Sequence, residues 1–286
     1  MVRRPLGNHH DGPDTLLMTS HTTQTEQVAP DSDTDTGTGT GTDTDTGMES
    51  SRGDEAADRR KAITRARVVL WDFDGPMCRL FAGHSARRVA QDLMGWLEGR
   101  GLHRLLTEAE RRSLDPHVVV RAVDRARPGS DLVAELEERL TQEELRAVAS
   151  AMPTAYADPL IRTWRATGPR LAITTNNSPR VVTSYLAGRG LTDCFAPHIY
   201  GRTQDLGLLK PHPRCLHLAL RALGSAPEDA LMIGDTPSDF AAADAAGVPF
   251  LGYARNADKE RRLRGAGATL VVNSLETVLE TVRHPA

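Results

Sequence analysis

Two carboxylates stand two residues apart at the end of a short apolar run. Asp72 and Asp74 follow residues 68–71, and Gly75 comes next. If the run is a strand, the alternation of side chains places both carboxylates on the same side of a sheet. Paired carboxylates in that position can bind a divalent cation and divide the roles of nucleophile and acid. Turns after strands also favour Asp and Gly, so this pattern alone is a weak signal.

Three further polar features follow in a fixed order along the chain. Residues 174–177 read Thr-Thr-Asn-Asn and offer hydroxyls and amides to an anion. Lys210 precedes a predicted helix, and Asp235 and Asp239 lie in the run Gly-Asp-Thr-Pro-Ser-Asp. Each feature alone is explained as well by a helix cap, a solvated charge or a turn. Four such features in order, at strand ends and helix starts, are unlikely to arise by chance, and they indicate groups that can bind a divalent cation and an anion.

The elements that must position these groups are alternating strands and helices. Short apolar runs typical of buried parallel strands lie at 67–71, 171–175, 197–200, 230–234, 248–252 and 269–272. Helical stretches lie between and after them, at 178–189, 211–223, 237–246, 257–265 and 274–283. This alternation predicts the α/β class, with a doubly wound parallel sheet.

The connection between the first and second strands breaks the alternation. It is about 95 residues long and contains no convincing strand. Helix formers fill it, at 84–99, 105–112, 116–127, 130–139, 141–151 and 157–167. A connection of this length predicts an inserted all-helical domain at 79–167. Because it follows the carboxyl end of a strand, the domain is expected to lie above the crevice where open α/β sheets bind ligands. The α/β core is then formed by 61–78 and 168–286.

The amino-terminal residues 1–60 have a different composition from the rest of the chain. The segment 31–47 reads DSDTDTGTGTGTDTDTG and contains no large apolar residue. Such a segment cannot offset the entropy of ordering by burying apolar surface. Residues 1–60 are therefore predicted to form a disordered tail.

Composition excludes several classes of function for the 286-residue chain. Its formal net charge is −3, so neither nucleic acid nor an anionic membrane is expected as a partner. The three cysteines share no CxxC spacing, which favours neither a zinc site nor a disulfide framework and fits a reducing cytosol. With no long apolar run and no signal-peptide pattern, a cytoplasmic location is expected.

Residues 67–273 resemble the haloacid dehalogenase-like (HAD) hydrolases, in the branch of the phosphoglycolate phosphatases and β-phosphoglucomutases. Residues 72–75, Asp-Phe-Asp-Gly, are similar to the first motif of that family, and 171–176 are similar to the second. Lys210 before a proline resembles the third motif, and 234–239 resemble the fourth. The helical insertion stands where the family places its type I cap.

The resemblance implies a mechanism and a cofactor. Asp72 would attack phosphorus and form an aspartyl-phosphate, while Asp74 would protonate the leaving oxygen and then act as base on the attacking water. Mg²⁺ would be held by the carboxylates of Asp72 and Asp235 and by the backbone carbonyl of Asp74. Asp239 would either contact the metal ion through a water or orient the metal ligands without binding the ion itself.

The same resemblance assigns the groups that bind substrate. Gly75, Thr175, Asn176 and Lys210 are expected to bind the phosphorylated substrate, and Lys210 is also expected to stabilise the transition state. Asp74 supplies the proton donor that an alkoxide leaving group needs and a halide does not, so a dehalogenase is not expected.

Three functions remain open from the sequence. The first is a Mg²⁺-dependent phosphatase acting on a small phosphorylated metabolite. The second is a phosphosugar mutase, which passes the phosphoryl group between two hydroxyls of one sugar. The third is a non-catalytic protein that binds a phosphorylated ligand on the same scaffold. A monomer or a homodimer is expected.

Overall fold

The computed structural model describes residues 46–285. Its strands are β1 (Val68–Trp71), β2 (Cys78–Arg79), β3 (Met152–Pro153), β4 (Arg170–Thr174), β5 (Ile199–Tyr200), β6 (Ala230–Gly234), β7 (Phe250–Tyr253) and β8 (Val271–Val272). Its α-helices are α1 (Thr46–Arg65), α2 (Ala86–Glu98), α3 (Glu108–Arg111), α4 (Pro116–Ala126), α5 (Asp131–Val148), α6 (Ala157–Thr167), α7 (Pro179–Arg189), α8 (Thr192–Phe195), α9 (Arg214–Leu223), α10 (Pro237–Ala245), α11 (Ala257–Gly265) and α12 (Glu276–Arg283).

Six strands form one parallel sheet in the order β5-β4-β1-β6-β7-β8. Strand β1 lies at its centre, where Trp71 pairs with Ile173 of β4 and Ile233 of β6. All four residues of β1 are buried, as the continuous apolar run requires when helices cover both faces of a sheet. The predicted α/β class and parallel sheet are therefore confirmed.

The central position of β1 determines which residues meet at the carboxyl edge of the sheet. Because β4 and β6 flank β1 in parallel, the residues that follow the three strands lie side by side. Asp72 follows β1, Thr175 follows β4 and Asp235 follows β6. The backbone N–H of Asp72 donates to the carbonyl of Ile233 at 2.8 Å, which extends the pairing to the first residue of the site.

Helices α2 to α5, which we call the cap, have an apolar core of their own. Leu97 of α2, Val119 and Val123 of α4, and Leu136 and Leu140 of α5 are fully buried in one cluster. The predicted helices at 130–139 and 141–151 are one helix, α5, because no glycine or proline interrupts the chain between them. A short antiparallel pair, β2 with β3, lies at the base of the insertion, where no strand was expected.

Helix α6 packs with the core, although the sequence placed it in the inserted domain. The ring of Trp164 meets that of Trp71 edge to face, with 5.9 Å between centroids. Leu160 and Ile161 are fully buried in the same cluster as the β1 side chain Val69. The cap is therefore shorter than predicted, because the apolar stripe of α6 is buried against the sheet.

The predicted tail also differs from the structure near its end. Residues 1–45 lie outside the described residues, but α1 begins at Thr46, so 46–60 are helical. Glu55 of α1 accepts a hydrogen bond from Arg264 at 3.1 Å, and Ile63 is buried in the core. These tertiary contacts stabilise the helix, and the composition of 1–60 does not show them. No helix among residues 46–285 is both long and apolar enough to cross a bilayer.

Truncation of Trp164 tests the assignment of α6 to the core. We expect Trp164→Ala to lower the free energy of unfolding by about 3–5 kcal/mol, because it removes a fully buried indole beside Trp71. Urea unfolding followed by fluorescence and circular dichroism measures the change. Trp96→Ala, on the half-buried cap surface under Arg100, is the control and should cost much less. Equal losses in the two variants would contradict the assignment.

Candidate active site

A cavity of about 330 Å³ lies at the carboxyl ends of β1, β4 and β6. From the core it is lined by Asp72, Asp74, Asn176, Asn177, Lys210, Asp235, Thr236, Ser238, Asp239 and Lys259. From the insertion it is lined by Phe81, Ala86, Leu114, Asp115, Pro116, His117 and Arg121. A larger cavity of about 740 Å³ lies at the opposite edge of the sheet, against Arg67 and Arg170 at the amino ends of β1 and β4.

Asp72, the predicted nucleophile, is a buried carboxylate beside a cation. It is 6 % exposed, and its Oδ1 accepts a hydrogen bond from the Lys210 ammonium at 2.8 Å. Burial and the charge of Asp239 raise the pKa of Asp72 to about 6, although Lys210 opposes the shift. The carboxylate therefore remains the main form at neutral pH, as a nucleophile requires.

Lys210 is 1 % exposed, and three oxygens surround its ammonium. These are Asp72 Oδ1 at 2.8 Å, the Thr174 carbonyl at 2.8 Å and Asp239 Oδ1 at 2.5 Å. An ammonium has three donors, so each has an acceptor. Burial alone would lower the pKa of Lys210, but the charges of Asp239 and Asp72 raise it above its ordinary value. Lys210 is therefore a cation beside Asp72, the predicted nucleophile.

Asp74, the predicted acid, lies in the loop that enters the insertion. Its Oδ1 accepts a hydrogen bond from the Leu80 N–H at 2.9 Å, while the Gly75 N–H donates to the Cys78 carbonyl at 2.7 Å. Burial raises the pKa of Asp74, although the hydrogen bond from Leu80 opposes the shift. A carboxyl with a raised pKa is suited to protonate a leaving oxygen.

Gly75 allows the loop after β1 to approach Asp235 closely. Its φ is +132°, and a Cβ added there would lie 2.2 Å from the Asp235 Cγ. Asp235 is 3 % exposed, and its Oδ1 is buried without a hydrogen-bond partner among the described residues. The Lys259 ammonium contacts the other oxygen of the same carboxylate. Gly75 therefore shapes the site by its lack of a side chain.

Asp239 holds the fourth motif in place and brings a third carboxylate into the site. Its Oδ2 accepts hydrogen bonds from the Asp235 N–H at 3.1 Å and the Thr236 N–H at 3.0 Å. Carboxylate oxygens of Asp72, Asp235 and Asp239 lie within 4.8 Å of one another. Carboxylate oxygens are the ligands that Mg²⁺ prefers, and the unpartnered Asp235 Oδ1 fits such a cation.

This carboxylate cluster differs from the predicted metal ligands in one member. The side chain of Asp239 belongs to it, whereas the side chain of Asp74 is hydrogen-bonded to the Leu80 N–H. The contribution expected from Asp74 was its backbone carbonyl, and that role stays a prediction.

Two predicted substrate-binding residues make contacts within the protein. The Thr175 hydroxyl donates to Asn177 Oδ1 at 3.0 Å and accepts from the Asn177 N–H at 3.1 Å, and Thr175 is 2 % exposed. Asn176 Oδ1 accepts from the Lys210 N–H at 2.8 Å, and Asn176 Nδ2 donates to the Lys210 carbonyl at 3.1 Å. The Asn176 side chain therefore holds the backbone of Lys210, and phosphate binding by Thr175 stays a prediction.

His117, at the start of α4, is a cap residue that the motifs did not reveal. Its Nδ1 lies 3.1 Å from Asp115 Oδ1, and its Nε2 lies 3.1 Å from the Asn176 carbonyl and 3.4 Å from Glu144. Burial alone would lower the pKa of His117, but its hydrogen bonds with Asp115 and Glu144 raise it to about 9. His117 is therefore a cation at neutral pH.

Arg121 and Lys259 are two further cations at the cavity that sequence reasoning missed. Both lie in helices with many charged residues, where a charge usually belongs to a solvated face. No local signal distinguishes them, since their position depends on how the cap and α11 pack against the core.

The sequence is similar to known hydrolases. A family model described as haloacid dehalogenase-like hydrolase matches residues 66–247. Phosphoglycolate phosphatase of Rhodospirillum rubrum is 30% identical over 200 residues, which are 66% of this chain and 81% of that protein. Phosphoserine phosphatase of Thermus thermophilus is 34% identical over 128 residues, which are 44% of this chain and 49% of that protein.

The fold is also found among solved structures. The crystal structure of CbbY from Rhodobacter sphaeroides in complex with phosphate has a TM-score of 0.58 at 20% identity, over 77% of this chain and 100% of that one. At this identity the likeness shows the fold. Since the family model matches more than half of the sequence, the chain belongs to the haloacid dehalogenase-like hydrolases. The resemblance and the predicted class of enzyme are confirmed, with phosphoglycolate phosphatases among its relatives.

Substitution of Gly75 tests whether the close approach to Asp235 shapes a cation site. We expect Gly75→Ala to weaken binding of Mn²⁺, a probe for Mg²⁺, by about 10- to 100-fold, because the new methyl group displaces the Asp235 carboxylate. Isothermal titration with MnCl₂ measures the affinity. Gly168→Ala, where φ is +118° and no neighbouring atom lies within 4 Å of the new Cβ, is the matched control because it adds similar backbone strain without a clash. Unchanged affinity in a folded Gly75→Ala protein would contradict the account.

The charge on His117 predicts how stability depends on pH. Its folded pKa of about 9 lies above the ordinary value of 6.5, so its stabilisation is complete below pH 6.5 and is lost as pH rises through 9. We expect the unfolding free energy of the wild type, measured relative to His117→Asn, to fall by roughly 3 kcal/mol over this range. Urea titrations of both proteins at several pH values measure it. A difference that does not vary with pH would show that the pKa of His117 is the same in the folded and unfolded protein, and would contradict a raised pKa in the fold.

Proposed function

We propose that the protein is a Mg²⁺-dependent phosphatase that hydrolyses a small phosphorylated metabolite through an aspartyl-phosphate. One observation supports this most strongly. The Asp72 carboxylate is hydrogen-bonded to the buried Lys210 ammonium, and both lie in a cavity with the carboxylates of Asp235 and Asp239. Such a site offers a nucleophile and positive charge for phosphoryl oxygens.

The first half of the reaction transfers the phosphoryl group to the protein. The Asp72 carboxylate attacks phosphorus, an O–P bond forms to Asp72, and the bond between phosphorus and the leaving oxygen breaks. Asp74, with its raised pKa, gives a proton to that oxygen so that an alcohol leaves. Lys210 stabilises negative charge on the phosphoryl oxygens as it develops.

The second half releases phosphate. Asp74, now ionised, accepts a proton from a water that attacks phosphorus, and the bond between Asp72 and phosphorus breaks. Asp72 and Asp235 would hold Mg²⁺, with Asp239 beside them, and the bound cation would neutralise charge on the carboxylates and phosphoryl oxygens.

The cap side of the cavity supports a substrate that carries a second negative charge. Arg121 lines the cavity, donates to the Lys210 carbonyl at 2.6 Å, and has a buried Nε without a partner among the described residues. Two relatives are named for phosphoglycolate and phosphoserine, which both carry a carboxylate. We therefore propose small phosphate esters with a carboxylate as the first compounds to assay.

Two other functions are tested in the same assays. A phosphosugar mutase would convert β-glucose 1-phosphate into the 6-phosphate without net release of phosphate. A non-catalytic binding protein would bind such ligands without turnover, but the presence of Asp72, Asp74, Asp235 and Lys210 in one cavity argues against it. The cytoplasmic location and the monomeric or homodimeric state stay predictions.

Removal of the nucleophile tests the proposal directly. We expect Asp72→Asn to lower the hydrolysis of p-nitrophenyl phosphate in Mg²⁺ by at least about 10³-fold, because an amide cannot attack phosphorus. Chelation with EDTA should abolish wild-type activity, and added Mg²⁺ should restore it. Asp92→Asn, at an exposed position of α2, is the control and should behave as wild type. Full activity in Asp72→Asn would refute the proposed mechanism.

A further inference from the structure

A buried ion pair joins the cap to the core at a position that the family motifs do not include. Arg202 follows β5, and Glu144 lies in α5, and both side chains are 0% exposed. Arg202 Nη1 donates to Glu144 Oε1 at 2.8 Å, and Nη2 donates to Glu144 Oε2 at 2.9 Å. Two parallel hydrogen bonds of this kind fix the geometry of a guanidinium against a carboxylate.

Two of the three remaining N–H groups of Arg202 are also directed at the cap. Its Nε donates to Glu137 Oε1 at 3.0 Å, and Nη2 donates to the Thr141 hydroxyl at 2.9 Å. Both acceptors lie one or two turns before Glu144 on the same helix. A buried charge is tolerated when it is paired and its hydrogen bonds are satisfied, and Arg202 meets both conditions.

The same network contacts the loop that follows β4. Arg202 Nη1 donates to the Asn176 carbonyl at 3.0 Å, and His117 Nε2 lies 3.1 Å from the same oxygen. Glu144 accepts from Asn177 Nδ2 at 2.9 Å and from the Ser178 N–H at 3.2 Å. Cap side chains therefore bind the loop directly as well as through Arg202.

That loop in turn holds Lys210. The Asn176 side chain bonds to both the N–H and the carbonyl of Lys210, whose ammonium bonds to Asp72. A continuous series of hydrogen bonds thus runs from Glu144 in the cap, through Arg202 and Asn176, to Lys210 and the nucleophile.

We propose that Arg202 and Glu144 are positioning residues through which the docked cap sets the Asn176 loop and, with it, Lys210. Neither residue lines the cavity, so their effect on the reaction is indirect. The position of the Asn176 loop, and through it that of Lys210, therefore depends on the contacts with α5. The inference rests on the proposed function for its effect on turnover, and its effect on the loop is independent of that function.

A second ion pair between cap and core distinguishes positioning from simple attachment. Arg180 of α7 donates to Glu138 of α5 at 2.7 Å, but both side chains are largely exposed and neither bonds to Asn176. If ion pairs with α5 served only to attach the cap, changing either arginine would affect cap stability without a specific effect on Lys210.

The test compares Arg202→Lys with the matched control Arg180→Lys. A lysine keeps the charge but cannot reproduce the fork that reaches Glu144 and Asn176 together. We expect Arg202→Lys to remain folded and to lose about 100-fold in kcat for p-nitrophenyl phosphate, with a smaller change in KM. Arg180→Lys should match the wild type. A wild-type kcat in Arg202→Lys, or an equal loss in Arg180→Lys, would overturn the proposal.

Hydrogen exchange gives a measure that does not need activity. In Arg202→Lys we expect faster exchange in peptides covering 174–178 and 208–211, while α2 and α4 keep wild-type protection. Faster exchange in the cap helices with an unchanged loop would show an attachment role and overturn the proposal. If Arg202→Lys does not fold, Glu144→Gln, which keeps the shape of the glutamate side chain, replaces it in both experiments. The same results support or overturn the proposal. Failure of Asp72→Asn to lose activity would instead refute the proposed function and leave the exchange result standing.

Discussion

The structure of the site depends on one buried ammonium. Lys210 is held between the carboxylates of Asp72 and Asp239 and the carbonyl of Thr174, and it is almost wholly inaccessible to water. Burial of an unpaired charge is unfavourable, and removing one partner from a buried ion pair typically lowers the free energy of unfolding by about 3–5 kcal/mol. Residues of the first, second and fourth motifs, which are Asp72, Thr174 and Asp239, must therefore meet around Lys210 of the third. The side chain of Asn176 must also hold the backbone of Lys210 in place.

The sheet and the lack of side chains at two glycines make this meeting possible. Strand β1 lies between β4 and β6, so Asp72 and Asp235 follow neighbouring strands at one edge. Gly75 brings the loop after β1 against Asp235, and a Cβ at Gly234 would lie 2.4 Å from the Cβ of Asp239. Like charges are thus gathered in a small volume, where Lys210 and a divalent cation can compensate them.

The parallel sheet and the group of motif residues could be predicted because their signals are local. The apolar composition of 68–71 indicates a buried strand. Asp72 and Asp235 directly follow predicted strands, and Lys210 precedes a predicted helix. Arg202, Glu144 and His117 could not be found in this way, because each acts across a contact between distant parts of the chain. The packing of α6 with the core and the helix before β1 could not be foreseen for the same reason, since Trp164 and Ile63 are placed by tertiary packing rather than by periodicity.

Trapping the phosphorylated protein shows whether Asp72 accepts the phosphoryl group. The wild-type protein would be mixed with Mg²⁺ and a phosphate ester that it hydrolyses, and the reaction would be quenched in acid within the first turnover. The protein would then be digested and its peptides examined by mass spectrometry. We expect a phosphate adduct on Asp72 that hydroxylamine removes, as is typical of an acyl phosphate. Turnover with no adduct at Asp72, or an adduct on another residue such as His117, would show that Asp72 is not the nucleophile.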